Sequence, residues 1–168
     1  MKPTLTVTDD FTDNFNDIIK RFKRDAVLVG IPATEAERET QADEAAGITN
    51  AALLAINNFG SPANNIPARP VLEIGIRNAQ DDIANEFKKA AVNALKDGFS
   101  ALFTYYERAG IIASNAVKKA INLQEGFPGP AESTIASRKS KGFPGTKSLI
   151  VTGQMRNAIT YVVNKGGL

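Results

Sequence analysis

Two amphipathic stretches that meet at a glycine constrain the fold of this chain more than any other sequence feature. Apolar side chains recur at helical spacing in residues 79–97 and again after Gly98, as far as residue 121. A glycine between two such stretches is typical of the point where one helix ends and the next begins. The pattern predicts two long helices that meet at Gly98 and bury their apolar faces. Those faces carry Ile83, Phe87, Ala90, Ala91, Ala94 and Leu95, and then Phe99, Leu102, Phe103, Tyr106, Ala113, Ala116, Val117, Ala120 and Ile121.

Shorter patterns in the N-terminal part predict two strands and one further helix. Residues 4–8 alternate polar and apolar side chains, as a short strand would. The apolar run at 26–32 suits a buried strand, because two of its residues are β-branched and glycine and proline follow. Polar residues 33–47 predict an exposed loop or a solvated helical excursion. Between the strands, one face of a predicted helix carries Phe11, Phe15, Ile18, Ile19 and Phe22.

The middle of the chain combines a short helix with a proline-rich connection. Residues 49–58 predict a helix that Phe59 and Gly60 end. Residues 60–70 contain three prolines and no periodicity, which predicts an extended loop, since each proline fixes its own φ and disfavours helix at the preceding residue. The alternation in residues 71–76 favours a strand, with an extended connection to the next helix as the alternative.

The C-terminal part predicts a long loop followed by a strand. Residues 124–147 are rich in glycine, proline, serine and basic side chains. Thr152 and Gly153 then predict a turn, Met155 to Ala158 a helical turn, and the residues up to Val163 a strand that could pair with residues 26–31. The expected fold is α+β: a small antiparallel sheet packed against two long helices in one domain (1–168), with long irregular arms at about 60–70 and 124–148.

Composition removes most enzymatic chemistry from consideration. The chain has no cysteine and no histidine, which excludes disulfides, thiolate nucleophiles, serine–histidine triads and the usual zinc sites. Convergent carboxylates or an oxygen-only magnesium site would remain. No window approaches the roughly 20 consecutive apolar residues of a membrane span, and the N-terminus lacks the apolar core of a secretory signal. We therefore expect a protein made in a cytoplasm, with no membrane partner.

Acidic pairs mark the starts of two predicted helices rather than a catalytic site. Carboxylates are favoured at a helix N-terminus by the helix dipole, without any catalytic purpose. We therefore predict no catalytic residues, no metal site and no cofactor. The competing hypothesis, an oxygen-only metal hydrolase, requires convergence of several of Asp9, Asp10, Asp81, Asp82, Glu86 and Glu107.

Charge is distributed unevenly along the chain. Residues 1–50 carry 6 basic and 10 acidic side chains, whereas residues 118–168 carry 8 basic and 2 acidic ones. The alternatives are solvated faces, complementary ends that meet in neighbouring subunits, and a basic end that faces nucleic acid. Few aromatic residues accompany the basic segment, so sequence-specific nucleic-acid binding is poorly supported, whereas non-specific phosphate contact needs only positive charge. The segment contains Arg138, Lys139, Lys141 and Lys147, with Phe127 and Phe143 nearby.

Two motifs in a fixed order resemble those of a known family. The first is Asn58, Phe59 and Gly60 followed by Ile66, Pro67, Ala68, Arg69 and Pro70. The second comprises Thr134, Ile135, Arg138 and Lys139, then Leu149, Ile150, Thr152, Gly153, Gln154, Met155 and Ile159. Together with the helices between them, they resemble the tail-completion or neck proteins of tailed bacteriophages, which include the Mu-type virion morphogenesis and lambda-type tail completion proteins. The likeness covers roughly residues 26–163, with Val71 where an aromatic residue often follows the second proline and Ala158 where serine is common.

The resemblance implies a structural protein without catalysis. It implies an α+β subunit of a homo-oligomeric, hexameric ring in the neck or tail of the virion, assembled in the host cytoplasm. A head-closure or connector protein would lie on one side and the tail terminator or tail tube on the other, with non-specific contact to DNA in the lumen left open. The alternative is a small nucleic-acid-binding protein that uses its basic C-terminal third.

The sequence also predicts which residues meet a partner or a neighbouring subunit. Arg69 is expected to be an anchor, because a guanidinium in a proline-fixed turn can bind several backbone carbonyls or a carboxylate at one point. Residues 124–148 are expected to be mobile in the free subunit and held only by a partner. The candidate interface residues are Ile66, Pro67, Arg69, Pro70, Phe127, Arg138, Lys139, Lys141, Phe143, Lys147, Thr152 and Gln154.

Overall fold

The computed structural model describes residues 11–37 and 47–166. Within these ranges the chain forms seven α-helices and a two-stranded antiparallel sheet, which confirms the expected α+β class. None of the helices described is both long enough and apolar enough to cross a membrane. The strand predicted at 4–8 and most of the polar stretch at 33–47 lie outside the described residues. The elements are α1 (Phe11–Arg24), β1 (Ala26–Gly30), α2 (Asn50–Phe59), α3 (Val71–Asn78), α4 (Gln80–Asp97), α5 (Phe99–Leu123), α6 (Glu132–Ser140), α7 (Gln154–Ala158) and β2 (Thr160–Asn164).

Helices α4 and α5 form the predicted pair and meet at Gly98. This glycine has φ +79°, a conformation that side chains with a Cβ rarely adopt, so it reverses the chain between the two helices. Ala90 and Ala94 of α4 are fully buried, and their small side chains allow close approach. Tyr106 of α5 contacts the rings of Phe22 and Phe87 edge-on, at centroid distances of 5.8 and 5.5 Å.

A second apolar cluster lies around the C-terminal half of α5. Its largest fully buried side chains come from α3, from α5 and from the residue before β2. Helices α2 and α7 cover this cluster, and they contact each other. The cluster consists of Leu54, Val71, Val117, Ile121, Met155 and Ile159.

The sheet joins the two ends of the described chain. Strands β1 and β2 pair antiparallel, which confirms the predicted pairing of residues 26–31 with the C-terminal strand. The register, which the sequence does not predict, places Val27 opposite Val163 and Leu28 opposite Val162. Both strands pack against α5. Since side chains alternate between the faces of a strand, Leu28 and Val162 lie on the face away from the helices, where both are partly exposed.

Three sequence predictions need correction. Residues 71–76 form helix α3, neither a strand nor an extended connection. Residues 124–148 are not irregular throughout, because α6 forms within them. The loop at 60–70 is a closed turn rather than an extended one, since Ser61 pairs with Ile66 and a short 3-10 helix lies between them.

The apolar face of α1 is only partly buried. Ile18 is buried in the cluster around Tyr106, as predicted, whereas Phe15 and Ile19 are exposed. The reason is that α1 packs mainly on α4, so a single line of contact covers only part of the face.

The alternation in residues 71–76 predicts a strand, but the segment is a helix in which Gly75 makes a close packing contact. Alternation along the sequence does not show such a contact. In the helix, Val71 and Gly75 are one turn apart, and both are buried against α5. A Cβ on Gly75 would lie 2.5 Å from Cα of Val117 and 2.7 Å from its backbone nitrogen. The backbones of α3 and α5 therefore touch at a point where only glycine fits.

We expect the substitution Gly75→Ala to destabilise the protein by about 1–3 kcal/mol, as overpacking of a rigid contact does. Alanine normally stabilises a helix interior relative to glycine by about 1 kcal/mol, so a loss would have the opposite sign to helix propensity. Urea unfolding measures the change. The matched control is Gly30→Ala in β1, where a Cβ would meet nothing within 4 Å; equal effects of both substitutions would contradict the close contact.

Burial of Tyr106 makes the free energy of unfolding fall as the pH becomes alkaline. The ring is 2% exposed, and this burial, followed by the nearby Asp25 carboxylate, raises the pKa of Tyr106 to about 12 against the opposing effect of Arg21. An unfolded tyrosine titrates near pH 10. The unfolded state therefore loses its proton first, so the stabilisation is complete below about pH 10 and is lost as the pH rises towards 12.

We expect Tyr106→Phe to flatten the loss of stability between about pH 10 and 12. Urea unfolding midpoints of the wild type and the variant, measured across this range, give the contribution of Tyr106 as a difference, with other tyrosines cancelling. The variant should retain most of its stability at pH 7, because the ring packing remains. Parallel pH profiles for the two proteins would refute the expectation.

Candidate partner-binding cleft

Arg69 ties together two segments that are distant in sequence. Its side chain is 8% exposed. The Nε–H group donates to the carbonyl of Pro128 (3.0 Å), Nη2 donates to the carbonyl of Gly129 (3.2 Å), and Nη1 donates to that of Pro67 (3.4 Å). The prediction that Arg69 binds several backbone carbonyls at one point is confirmed.

The turn at 60–70 fixes where Arg69 lies. Gly60 has φ +78°, and a Cβ there would approach the backbone nitrogen of Ala68 to 2.8 Å, so the turn requires glycine. The N–H group of Ser61 donates to the carbonyl of Ile66 (2.8 Å), which closes the turn. The N–H group of Arg69 then donates to the carbonyl of Asn57 (2.8 Å) at the end of α2.

The other segment is held by Gln124 and Ser148. Gln124 ends α5 in the left-handed conformation. Its side chain donates to the carbonyl of Ser148 (3.0 Å) and accepts from the N–H group of Ser148 (2.6 Å). The hydroxyl of Ser148 donates to the carbonyl of Pro128 (3.1 Å), which Arg69 also binds. One carbonyl thus receives two buried donors.

The expectation that only a partner could hold residues 124–148 is wrong. Phe127 packs against the second apolar cluster. Lys147 donates through Nζ to the carbonyl of Asn122 (2.8 Å), and Arg138 donates through Nη1 to the carbonyl of Lys147 (2.8 Å). These bonds, with those of Arg69 and Ser148, fix the segment to the protein's own body. The segment has few apolar side chains to bury, as its sequence indicates. Polar contacts to distant parts of the chain hold it instead, and these contacts leave no pattern in the sequence.

These contacts enclose a cleft of about 670 Å³ between the two segments. Half of the predicted interface residues line it: Ile66, Pro67, Arg69, Arg138, Thr152 and Gln154. The rest lie elsewhere. Pro70 directly precedes α3, and Phe127 packs against the second apolar cluster. The other four lie on α6 or after it and do not line the cleft: Lys139, Lys141, Phe143 and Lys147.

The cleft is positively charged and partly apolar. Two arginines line it, and within residues 11–37 and 47–166 no aspartate or glutamate does. Burial lowers the pKa of Arg69, and the neighbouring charge of Arg138 lowers it further. Burial also lowers the pKa of Arg138. The apolar part of the wall comprises Leu53, Ile66, Leu149, Val151 and Met155.

Several residues that build the cleft were not predicted to have a functional role. Gln124 and Ser148 hold one wall, yet a glutamine and a serine in a loop carry no sequence signal for a buried pair. The carbonyls of Pro128 and Gly129 are backbone groups, which no side-chain pattern reveals. Met155 and Leu149 belong to the second motif and were quoted there, but only as part of the resemblance.

The acidic residues of the described chain do not form a metal site. No group of three or more carboxylates lies close enough together, within the described ranges, to hold an ion. Glu86 accepts a hydrogen bond from Lys89, and Glu107 accepts one from the hydroxyl of Tyr161. Asp9 and Asp10, which the metal-hydrolase hypothesis also requires, lie outside the described residues.

Comparisons with protein-family models, with curated proteins and with solved structures give no match for this chain. The phage resemblance therefore depends only on the two motifs and the helices between them.

We expect Arg69→Ala to lower the free energy of unfolding by about 2–3 kcal/mol, because it removes three hydrogen bonds made by one buried guanidinium. Urea unfolding measures this loss. The matched control is Arg77→Ala, which removes an exposed arginine paired with Glu73 and should cost less than about 1 kcal/mol. If Arg69→Ala leaves stability unchanged, the carbonyl contacts do not hold the cleft.

Proposed function

We propose that this protein is a structural virion protein of a tailed bacteriophage, a neck or tail-completion subunit that forms a ring between the head connector and the tail. One observation carries the proposal. Arg69, from the first of the two motifs, binds the segment that leads to the second, and residues of both motifs then line one cleft. Residues more than sixty positions apart thus contribute to a single surface. This is the arrangement expected when both motifs bind the same partner.

A ring subunit needs a rigid body and a surface that accepts a neighbour. Helices α3, α4 and α5 with the sheet supply a body of two apolar clusters. The cleft supplies a concave surface at the edge of this body. A heterologous contact, in which a concave surface of one subunit accepts a different surface of the next, closes into a ring when the rotation permits.

The surface of the body favours assembly further. Large apolar side chains are exposed on several helices, among them Phe59 (78%), Val92 and Ile111. Single exposed apolar residues are ordinary, but Phe59 stands at the end of α2 directly before the turn that carries Arg69. The acidic N-terminal and basic C-terminal parts of the sequence supply charge complementarity between neighbours.

We expect the purified protein to self-associate weakly, with an oligomer population that falls as salt rises, because exposed charge pairs are screened. Native mass spectrometry at several salt concentrations measures this, and copy number in the virion measures the closed ring. A protein that is strictly monomeric at every salt concentration and present as a single copy in the particle would refute the ring.

A pair of threonine substitutions locates the interface. Thr152 and Thr104 are both exposed, but only Thr152 lines the cleft. Thr152→Glu should weaken self-association by about tenfold or more, equivalent to about 1.4 kcal/mol, because a larger and charged side chain then occupies the cleft. It should also lower the yield of joined, infectious particles, whereas Thr104→Glu on α5 should leave both unchanged. Salt-sensitive binding of the monomer to DNA, without an oligomer at any salt concentration, would favour the nucleic-acid-binding alternative.

A further inference from the structure

We infer that the cleft binds an acidic peptide segment of a partner protein, with an aspartate or glutamate carboxylate between Arg69 and Arg138 and apolar neighbours against the apolar part of the wall. The inference deepens the proposed function and rests on it only in treating the cleft as a partner-facing surface. It adds the chemical class of the segment bound.

The two arginines of the cleft, Arg69 and Arg138, carry positive charge that only neutral groups among the described residues contact. A guanidinium has five N–H donors, and the described residues supply Arg69 with three acceptors, all of them neutral carbonyls. Arg138 is half-buried and has one acceptor among the described residues, the carbonyl of Lys147. Within the part of the chain that the structure describes, no carboxylate lines the cleft to balance either charge. Two partly desolvated cations side by side are most stable when an anion joins them.

The remaining wall of the cleft selects the kind of anion. Leu53, Leu149 and Val151 present apolar surface in the same cleft as the two arginines, and Met155, which is 5% exposed, extends the second apolar cluster to the lining. A free inorganic anion would leave that surface unused. A carboxylate on a peptide whose neighbouring side chains are apolar would bury both parts, and the volume of the cleft lies within the usual range of about 300–1,000 Å³ for such sites.

Nucleic acid fits the cleft less well. Arg69 is nearly buried, whereas phosphate contacts of a nucleic acid track the backbone along an open groove. None of the described residues that line the cleft is aromatic, so none can stack on a base. The exposed bases Lys139 and Lys141 lie outside it. A carboxylate-bearing peptide is therefore the ligand that charge, shape and burial favour together.

The test is an NMR titration of the full-length protein with a capped tetrapeptide of sequence leucine, aspartate, leucine, valine, and with its asparagine counterpart. We expect the aspartate peptide to shift the Nε–H signal of Arg138 and the methyl signal of Met155. The asparagine peptide should bind about tenfold more weakly, the expected effect of losing one charge-assisted pair. Equal affinity for the two peptides, or no shift at millimolar concentration, would overturn the inference.

Two variants distinguish the cleft from general positive charge. Arg138→Gln and Lys139→Gln each remove one charge from α6, but only Arg138 lines the cleft. The first should abolish the preference for aspartate and the second should retain it, with thermal melts of both confirming the fold. If the Arg138→Gln variant still prefers the aspartate peptide to the asparagine peptide, the inference is wrong.

Two further ligands separate the alternatives. Inorganic phosphate and a single-stranded DNA 12-mer are titrated under the same conditions, and both should perturb Met155 less than the aspartate peptide does. A larger shift of the Met155 signal with DNA than with the aspartate peptide would identify nucleic acid as the ligand and overturn the inference. Peptide binding by a protein that forms no ring would leave this inference standing and remove the proposed function, whereas a ring without peptide binding would do the reverse.

Discussion

Close approach of small residues to helix α5 is the constraint on which the rest of the structure depends. Gly75 of α3 touches the backbone of α5 at Val117, and the ring of Tyr161 in β2 lies against Gly110. Ala90 and Ala94 allow α4 the same approach on another side. Because each contact brings a whole element against α5, one helix organises both apolar clusters and the sheet, and dispersion contacts accumulate along its length.

The loops are ordered by a different interaction. Turns and loops bury few apolar groups, so their backbone carbonyls must find donors elsewhere. Arg69 supplies three donors from one side chain, and the hydroxyl of Ser148 adds a second donor to the carbonyl of Pro128, while Gln124 holds the backbone of Ser148. This arrangement fixes a long glycine- and proline-rich segment to the helical body. It also leaves two arginines in a partly apolar cleft, so the side chain that builds the cleft would also contribute to the inferred binding of an acidic segment.

The cleft connects the fold to the proposed role. A ring subunit and a peptide-binding subunit both need a concave surface whose shape survives in the free protein, since ordering a surface on binding costs affinity. The bonds between residues 128–129 and Arg69 supply that preorganisation. The basic side chains of α6 that lie outside the cleft, Lys139 and Lys141, are exposed and would add long-range attraction rather than a defined contact.

The sequence by itself determined the elements whose apolar spacing matches one regular structure: α4, α5, the pairing of β1 with β2, and the breaks at Gly60 and Gly98. It also indicated Arg69 as an anchor, because prolines fix its turn. Only the tertiary structure decided the rest. Residues 71–76 are helical because α5 requires a glycine one turn after Val71, a contact that alternation within the segment cannot reveal. Residues 124–148 are held because their polar groups find carbonyls and donors far away in sequence, and such long-range hydrogen bonds leave no local pattern to read.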